Sequence, residues 1–474
     1  MPMSERDFPG IVVAALRGGS GKTILSIGLT AALSRRGRSI APFKKGPDYI
    51  DAGWLALAAG RPCYNLDTFL IEPRRIIDSF RRHAGSCDLS VIEGNRGLYD
   101  CIDTRGETST AELSKLLGLP VVLVIDGTKT TRTMAAVVSG CSLFDPEVRI
   151  RGVVLNRVAG SRHENILTRS IEEHCGIPVV GAIPRLRTQS FPERHMGLVP
   201  TAEHDWAKAA IDTAVQVTED HLDLEKLLDL ACETTPMAWS GVKTASRAGD
   251  SPRSSEAVIG IIQDSAFQFY YPENLEALEA AGARIRRLSP LNSEAVPDDI
   301  DGMYIGGGFP ETHAQALAGN LAFRSRIKSL AEDGMPIYAE CGGLMYLGEK
   351  LVLESGSYDM AGVLPVVFGF SGRPQGHGYT ILRVVRDNPY FQAGLEIKGH
   401  EFHYSKVLEF NGSPSDFAYE MIRGTGLYQG KDGLCSGNVL ATYTHLHALG
   451  TPEWAPALVG KAVEYRQMKR RESA

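Results

Sequence analysis

An apolar run, Ile11-Val12-Val13-Ala14-Ala15-Leu16, empties directly into Arg17-Gly18-Gly19-Ser20-Gly21-Lys22-Thr23 and then into a helical pattern over ILSIGLTAALSRRG. Strand, glycine-rich loop and helix in that order leave few folds open, because together they describe the opening unit of a phosphate-binding α/β domain. Glycines let backbone N–H groups turn toward phosphate oxygens. The helix N-terminus adds a favourable dipole, Lys22 supplies charge, and Thr23 offers a hydroxyl to magnesium. Gly18, Gly19, Ser20, Gly21, Lys22 and Thr23 are therefore the expected nucleotide-binding residues. The standard spacing calls for a glycine at position 16, where Leu16 stands, so the loop is a variant that begins at Arg17. An incidental glycine-rich turn is the competing reading, and it leaves the three glycines and the Lys22-Thr23 pair unexplained.

Further short apolar runs, LSVIEG, PVVLVID, IRGVVLN and IPVVGAI, alternate with helical patterns as far as about Pro200. That alternation predicts a parallel sheet covered on both faces. LSVIEG ends on Glu93, where phosphate-loop proteins carry an acid near the metal, and ligands of parallel sheets bind beyond the strand ends. Glu93 is expected beside magnesium, with a surface carboxylate as the plain alternative. Between loop and acid, PFKKGPDYIDAGW packs Lys44, Lys45, Asp48 and Asp51 around Gly46-Pro47. Two lysines beside two aspartates suit an acyl phosphate and its metal; they suit a solvated charge cluster equally well.

At 474 residues the chain is long for one core. Two domains are expected. After Trp206 an amphipathic stretch gives way to TTPMAWSGVKTASRAGDSPRSSEA, whose Ser, Thr, Gly and charge content reads as a linker. The expected boundaries are a first domain over 9–235, a linker over 236–256 and a second domain over 257–460. Hydrophobic residues at 43% and charged residues at 22% are ordinary for a globular protein, and no apolar run is long enough for a membrane span. The N-terminus lacks the order of a signal peptide, so a cytoplasmic location without a membrane partner is expected. A net charge of −6 argues against a protein that grips nucleic acid through phosphates. The eight cysteines form no C-x-x-C pair, and most are expected to be reduced core residues.

From Val258 the alternation resumes: VIGII, a helix over PENLEALEAAGA, IDGMYIGGG, a helix over THAQALAGNLAFRSRIKSLAEDG, then MPIYAECGG. This predicts a second α/β domain, with mixed or antiparallel strands after Val352. Cys341 follows an apolar run and precedes Gly342-Gly343 and a helix, the pattern of a nucleophile elbow that lifts a side chain clear of the sheet. The helix dipole and a basic partner are expected to favour its thiolate, and His445 in LATYTHLHALG is the candidate base. Gly306, Gly307 and Gly308 in MYIGGGFPE offer backbone N–H groups for a tetrahedral oxyanion, Gly307 and Gly308 foremost. Each feature alone has a plain structural reading; jointly they point to acyl transfer.

RGGSGKT, FKKGPDYIDAGW, NLDTF, VIEGNRGLYD, GVVLNRV, ERHMGL, IGGGFPE, YAECGGLMYL, GHEFHYS and THLH fall in one order along the chain. In that order they resemble the cobyrinic acid a,c-diamide synthase family over nearly the full length. The resemblance implies a dethiobiotin synthetase-like ATP domain followed by a class I glutamine amidotransferase domain. It implies that Cys341 attacks the glutamine side-chain amide with His445 handling the proton, and that ammonia passes between the domains, shielded from water. It also implies that an acyl phosphate, held with magnesium through Thr23, Glu93 and Asp48, accepts the ammonia. Lys44, Lys45, Tyr49, Asp51, Tyr99 and Asp100 are candidate tetrapyrrole contacts, although such aromatics serve as often in packing.

The sequence departs from the family pattern in places. His447 stands where the orienting glutamate of the triad is usual, so a Cys-His dyad is expected to suffice. Asn95, Arg96 and Lys45 replace commoner residues near the expected substrate, which keeps sirohaem and nickel sirohydrochlorin open as substrates. A partitioning-type ATPase switch is the rival of another class, and a binding protein without turnover is a third. The expected partners are tetrapyrrole, ATP and L-glutamine, with a homodimer possible.

Overall fold

In the computed structural model, which describes residues 8–186, 193–194, 197–198, 207–237, 257–292 and 295–472, the strand before the glycine-rich loop lies inside a sheet of seven. The chain divides into two units, Met1–Lys243 and Thr244–Ala474. Most of the expected linker, residues 238–256, lies outside the described residues, as do His195 and Met196 of the ERHMGL motif.

The strands of the first sheet are β1 (Gly10–Ala15), β2 (Ile40–Lys45), β3 (Tyr64–Leu66), β4 (Leu89–Glu93), β5 (Val121–Asp126), β6 (Ile150–Val158) and β7 (Val179–Pro184). They run in the order β3-β2-β4-β1-β5-β6-β7, all parallel. Every residue of β1 is buried. A strand covered on both faces has no polar face to alternate with, hence its continuous apolar sequence. The apolar runs marked five of these strands. β2 and β3 escape the pattern because β2 ends on two lysines and β3 is three residues long. Register then decides what β2 is for, since Lys44 pairs across to Glu93 at the end of β4.

Helix α1 (Lys22–Arg35) starts at Gly21, whose φ of 98° suits glycine. A side chain there would also collide with the Asn156 amide. Helix α2 (Ile50–Ala59) follows the Lys44–Asp51 loop, and α3 (Ala207–His221) covers α1. The covering is close at Gly28, where a Cβ would lie 2.5 Å from the Ala214 carbonyl oxygen.

The second unit is built on a ten-stranded sheet. Its strands are β8 (Val258–Ile262), β9 (Arg284–Leu288), β10 (Gly302–Ile305), β11 (Ile337–Glu340), β12 (Gly376–Val384), β13 (Glu396–His403), β14 (Phe417–Arg423), β15 (Lys431–Ser436), β16 (Val439–Thr442) and β17 (His445–Leu446). The order is β9-β8-β10-β11-β16-β15-β14-β12-β13-β17. From β9 to β16 neighbours are parallel; from β16 onward they are antiparallel. The mixed strands expected after Val352 are these antiparallel ones, together with a separate four-stranded sheet that includes Lys350–Leu353 and Val366–Phe370. The single helix expected over THAQALAGNLAFRSRIKSLAEDG is two, Ala314–Gly319 and Leu321–Glu332. Asn320 divides them, because its side chain accepts from Phe323 N at 3.1 Å and caps the second helix.

Gly28→Ala is expected to cost about 1 to 3 kcal/mol, the usual penalty for overpacking. Chemical denaturation followed by tryptophan fluorescence checks this.

Candidate active sites

The glycine-rich loop is closed by its own contacts and by a side chain from β6. Ser20 Oγ donates to the Arg17 carbonyl at 3.0 Å, and Asn156 Nδ2 donates to the Ser20 carbonyl at 2.8 Å. Asn156 belongs to the GVVLNRV run, but nothing local marks it as a loop brace; the contact spans 136 residues. Lys22 Nζ donates to the Arg96 carbonyl at 2.7 Å. Burial first, then the neighbouring Lys44 charge, holds Lys22 below the ordinary lysine range.

Beyond the loop lies a buried charge network. Thr23 Oγ1 donates to Glu93 Oε1 at 2.6 Å and lies 3.5 Å from Asp51 Oδ2. Lys44 Nζ lies 2.7 Å from Asp51 Oδ2 and 3.0 Å from Glu93 Oε1. Burial opposes the charge on Lys44, but Asp51 and Glu93 outweigh it and hold the ammonium charged. Burial pushes Glu93 up to about 7 even with Lys44 beside it. Glu93 Oε2 is buried and has no hydrogen-bond partner. Glu93 is thus no surface carboxylate, and with Lys44 and Lys45 both under 5% exposed the lysine–aspartate segment is no solvated cluster.

Asp48 turns toward the start of α2, accepting from Asp51 N at 2.8 Å, and burial with the Asp51 charge pushes it up to about 6. Asp51, expected at the substrate, brings its Oδ2 to 3.5 Å from Thr23 Oγ1. Lys45 is buried on the other side of β2, where burial holds it below the ordinary range against the attraction of Asp67. Tyr49 stands at the start of α2, half-buried. Tyr99 OH donates to the Cys141 carbonyl at 2.6 Å, and its ring packs edge-on to Phe144. Asp100 is exposed, and its carboxylate accepts from Gly97 N at 2.9 Å, shaping the loop after β4.

In the second unit Cys341 follows β11 and opens helix α4 (Gly342–Leu347) at φ 47°, ψ −98°. A non-glycine residue in that region is strained by about 1 to 3 kcal/mol, the signature of a nucleophile elbow. The turn is held by Cys341 N donating to the Thr442 carbonyl at 2.8 Å and Gly343 N donating to the Gly306 carbonyl at 3.1 Å. A Cβ on Gly342 would lie 2.9 Å from Gly308 N, so the elbow sits against the Gly307–Gly308 turn. His445 reaches the same turn from β17: a Cβ on Gly307 would collide with its Cε1 and lie 3.2 Å from its Nε2. Cys341, His445, Gly307 and Gly308 are therefore brought together from three elements.

The opposite edge of the His445 ring faces Glu340, with Nδ1 3.3 Å from Oε2. Sequence reading passed over this glutamate, because the residue before a nucleophile reads as the end of a buried strand. The thiol also differs from expectation. Helix α4 is only six residues long, and burial, reinforced by the Glu311 charge, pushes Cys341 well above the ordinary cysteine value against the Gly342 amide. Burial thus favours the thiol over the thiolate, the opposite of the expected dipole effect.

Residues 11–199 match the family model described as the CobQ/CobB/MinD/ParA nucleotide binding domain, and residues 258–453 match the CobB/CobQ-like glutamine amidotransferase domain. One chain carrying both is an ATP-dependent amidating ligase, and a nucleotide switch alone leaves residues 258–453 without a purpose. Cobyrinate a,c-diamide synthase of Magnetococcus marinus is 44% identical over 95% of this chain and 96% of its own. The enzymes of that name from Archaeoglobus fulgidus and Methanothermobacter thermautotrophicus are 38% and 39% identical, over 98% and 96% of this chain and 100% of each relative. The chain belongs to the cobyrinate a,c-diamide synthase family.

Alkylation of Cys341 by iodoacetamide in the ligand-free protein is expected to be slow near neutral pH and to accelerate steadily toward about pH 9.5, because a raised pKa leaves little thiolate at neutrality. A rate independent of pH, read by peptide mass spectrometry, would show a preformed thiolate instead.

Proposed function

We propose that this protein converts the a and c side-chain carboxylates of cobyrinic acid into primary amides, using ATP to activate each carboxylate and glutamine to supply nitrogen. The observation that carries the reading is kinship across both domains with enzymes named for this reaction, joined to a buried Thr23–Glu93–Lys44 cluster in one unit and a Cys341–His445 elbow in the other. A carboxylate is a poor electrophile until one oxygen becomes a phosphate leaving group, so both half-reactions are needed.

In the first unit Lys22 and the loop amides of Gly18, Gly19, Ser20 and Gly21 hold the phosphates. Magnesium fits beside them on one structural ground: Glu93 Oε2 is a buried oxygen without a partner, next to the Thr23 hydroxyl. Among the described residues no group of three or more His, Cys, Asp or Glu forms a metal cage. That suits magnesium, which binds through one or two carboxylates plus substrate phosphates. Thr23, Glu93 and the nearby Asp51 would hold the ion, which neutralises phosphate charge when bound. Lys44 holds both carboxylates in place, 2.7 Å from Asp51 Oδ2 and 3.0 Å from Glu93 Oε1.

In the second unit Cys341 attacks the glutamine side-chain amide, His445 takes the thiol proton and delivers it to the departing ammonia, and the Gly307 and Gly308 amides stabilise the oxyanion. Water then hydrolyses the thioester to glutamate. A second substrate reading, sirohaem or nickel sirohydrochlorin, retains one favourable feature, the exposed Arg96 on the loop after β4; Lys45, its other support, is buried. We place the enzyme in the cytoplasm; among the described residues no helix is long and apolar enough to cross a membrane.

Mass spectrometry of the products from cobyrinic acid, sirohaem and nickel sirohydrochlorin, each offered with ATP, magnesium and glutamine, tests the assignment. Two successive exchanges of hydroxyl for amino on cobyrinic acid alone are expected; turnover only of a sirohydrochlorin derivative would overturn the substrate. Cys341→Ser should abolish glutamine use while amidation from added ammonium persists. Lys22→Met should cut amidation from either nitrogen source by about 10²-fold or more, the scale of losing one preorganised charge contact in a transition state.

A further inference from the structure

His447, two residues beyond His445, occupies the position where the orienting glutamate of such glutaminases is usual, and it does not orient His445. Its Nδ1 accepts from Leu449 N at 3.2 Å, and its Nε2 lies 3.6 Å from Glu273 Oε1. We infer that Glu340, the residue immediately before the nucleophile, is the positioning carboxylate that fixes the ring and the proton of His445. The inference rests on the glutaminase reading above.

Glu340 is fully buried, and a buried carboxylate must be satisfied by hydrogen bonds or an ion pair. Its contacts divide by atom. Oε1 accepts from Leu446 N at 3.1 Å; Oε2 accepts from Tyr304 OH at 3.0 Å and lies 3.3 Å from His445 Nδ1. A merely structural glutamate tying β11 to β17 would need only the first of these. The second oxygen is aimed at the imidazole and steadied by Tyr304. Asn274 holds the surrounding frame, donating to Tyr304 OH at 3.3 Å and the Leu446 carbonyl at 3.1 Å while accepting from Ala448 N at 2.7 Å. Carboxylate, tyrosine and histidine loop are thereby locked to one amide side chain.

The elbow explains how consecutive residues serve one histidine. Strand β11 ends at Glu340, and the φ of 47° at Cys341 turns the next side chain away from the alternation of the strand. Glu340 meets the Nδ1 edge of His445, while Cys341 opens beside the Gly307–Gly308 turn that faces the Nε2 edge. With Nδ1–H donating to Glu340, the ring lone pair lies on Nε2. The Sγ–C bond to the glutamine amide carbon then forms as the thiol proton moves to Nε2, and the same proton leaves with ammonia as the C–N bond breaks. The Glu340 carboxylate accepts from Nδ1 and stabilises the intervening imidazolium.

Other groups around the ring do not compete for this role. His400 stacks on His445 with centroids 4.9 Å apart and an interplanar angle of 21°. Burial foremost disfavours a charge on His400, and its Nδ1 lies 3.4 Å from Tyr271 OH. Tyr304 is held protonated by burial and by the Glu340 charge.

Nitrogen-15 NMR of histidine-labelled full-length protein, with His445 assigned by its absence in His445→Gln, reads the tautomer directly. The wild type is expected to carry the neutral proton on Nδ1. In Glu340→Gln the proton should move to Nε2, and glutamine hydrolysis should lose about 10²-fold or more in kcat, the scale of general acid–base catalysis. KM for glutamine should change little, ammonium-supported amidation should be retained, and Glu340→Asp should recover part of the rate. A wild-type proton on Nε2 overturns the inference without any variant, even if Glu340→Gln fails to fold. So does a Glu340→Gln enzyme with undiminished kcat, or one that loses activity with its tautomer unmoved. In those cases wild-type glutamine turnover and its loss in Cys341→Ser leave the glutaminase reading standing. Absence of wild-type glutamine turnover overturns both.

Discussion

A strand buried on both faces can carry a charged side chain without penalty only near its end, where the sheet opens to ligand. Both units of this protein are organised by that constraint. In the first, β2 delivers Lys44, β4 delivers Glu93 and β6 delivers Asn156, and parallel register sets Lys44 directly across from Glu93. In the second, β11 ends on Glu340 with Cys341 immediately after it, and the Thr442 carbonyl at the end of the neighbouring β16 holds the elbow. Chemistry collects where the strands stop.

Burial then sets the ionisation of these groups. Glu93 and Cys341 are both pushed toward their neutral forms. A cation near such a carboxylate, or a base near such a thiol, moves the balance back toward the charged form. Lys44 shows the converse, since two carboxylates within 3.0 Å keep it charged despite burial.

How much of this was legible in the sequence depended on distance along the chain. The Arg17–Thr23 loop, the Cys341 elbow and the two α/β patterns are local signals, and each falls in the corresponding local structure. Contacts that span many residues were not legible. Nothing near Asp51 says that its carboxylate meets Thr23 and Lys44 while Asp48 accepts from the Asp51 amide, because the turn into α2 decides where each carboxylate goes. Nothing near Tyr99 announces that its hydroxyl is taken by the Cys141 carbonyl. Glu340 was hidden differently, as a polar residue beside a stronger signal, and only its separation of 105 residues from His445, closed by the sheet, gives it a partner.

The central claim, that nitrogen from the second unit's glutamine ends in a carboxamide made by the first, is tested most directly with glutamine labelled by nitrogen-15 in its side-chain amide. Incubation with cobyrinic acid, ATP and magnesium should give a diamide carrying two labelled nitrogens, with none formed when ATP is omitted. A product without label, or labelled product formed independently of ATP, would contradict the account.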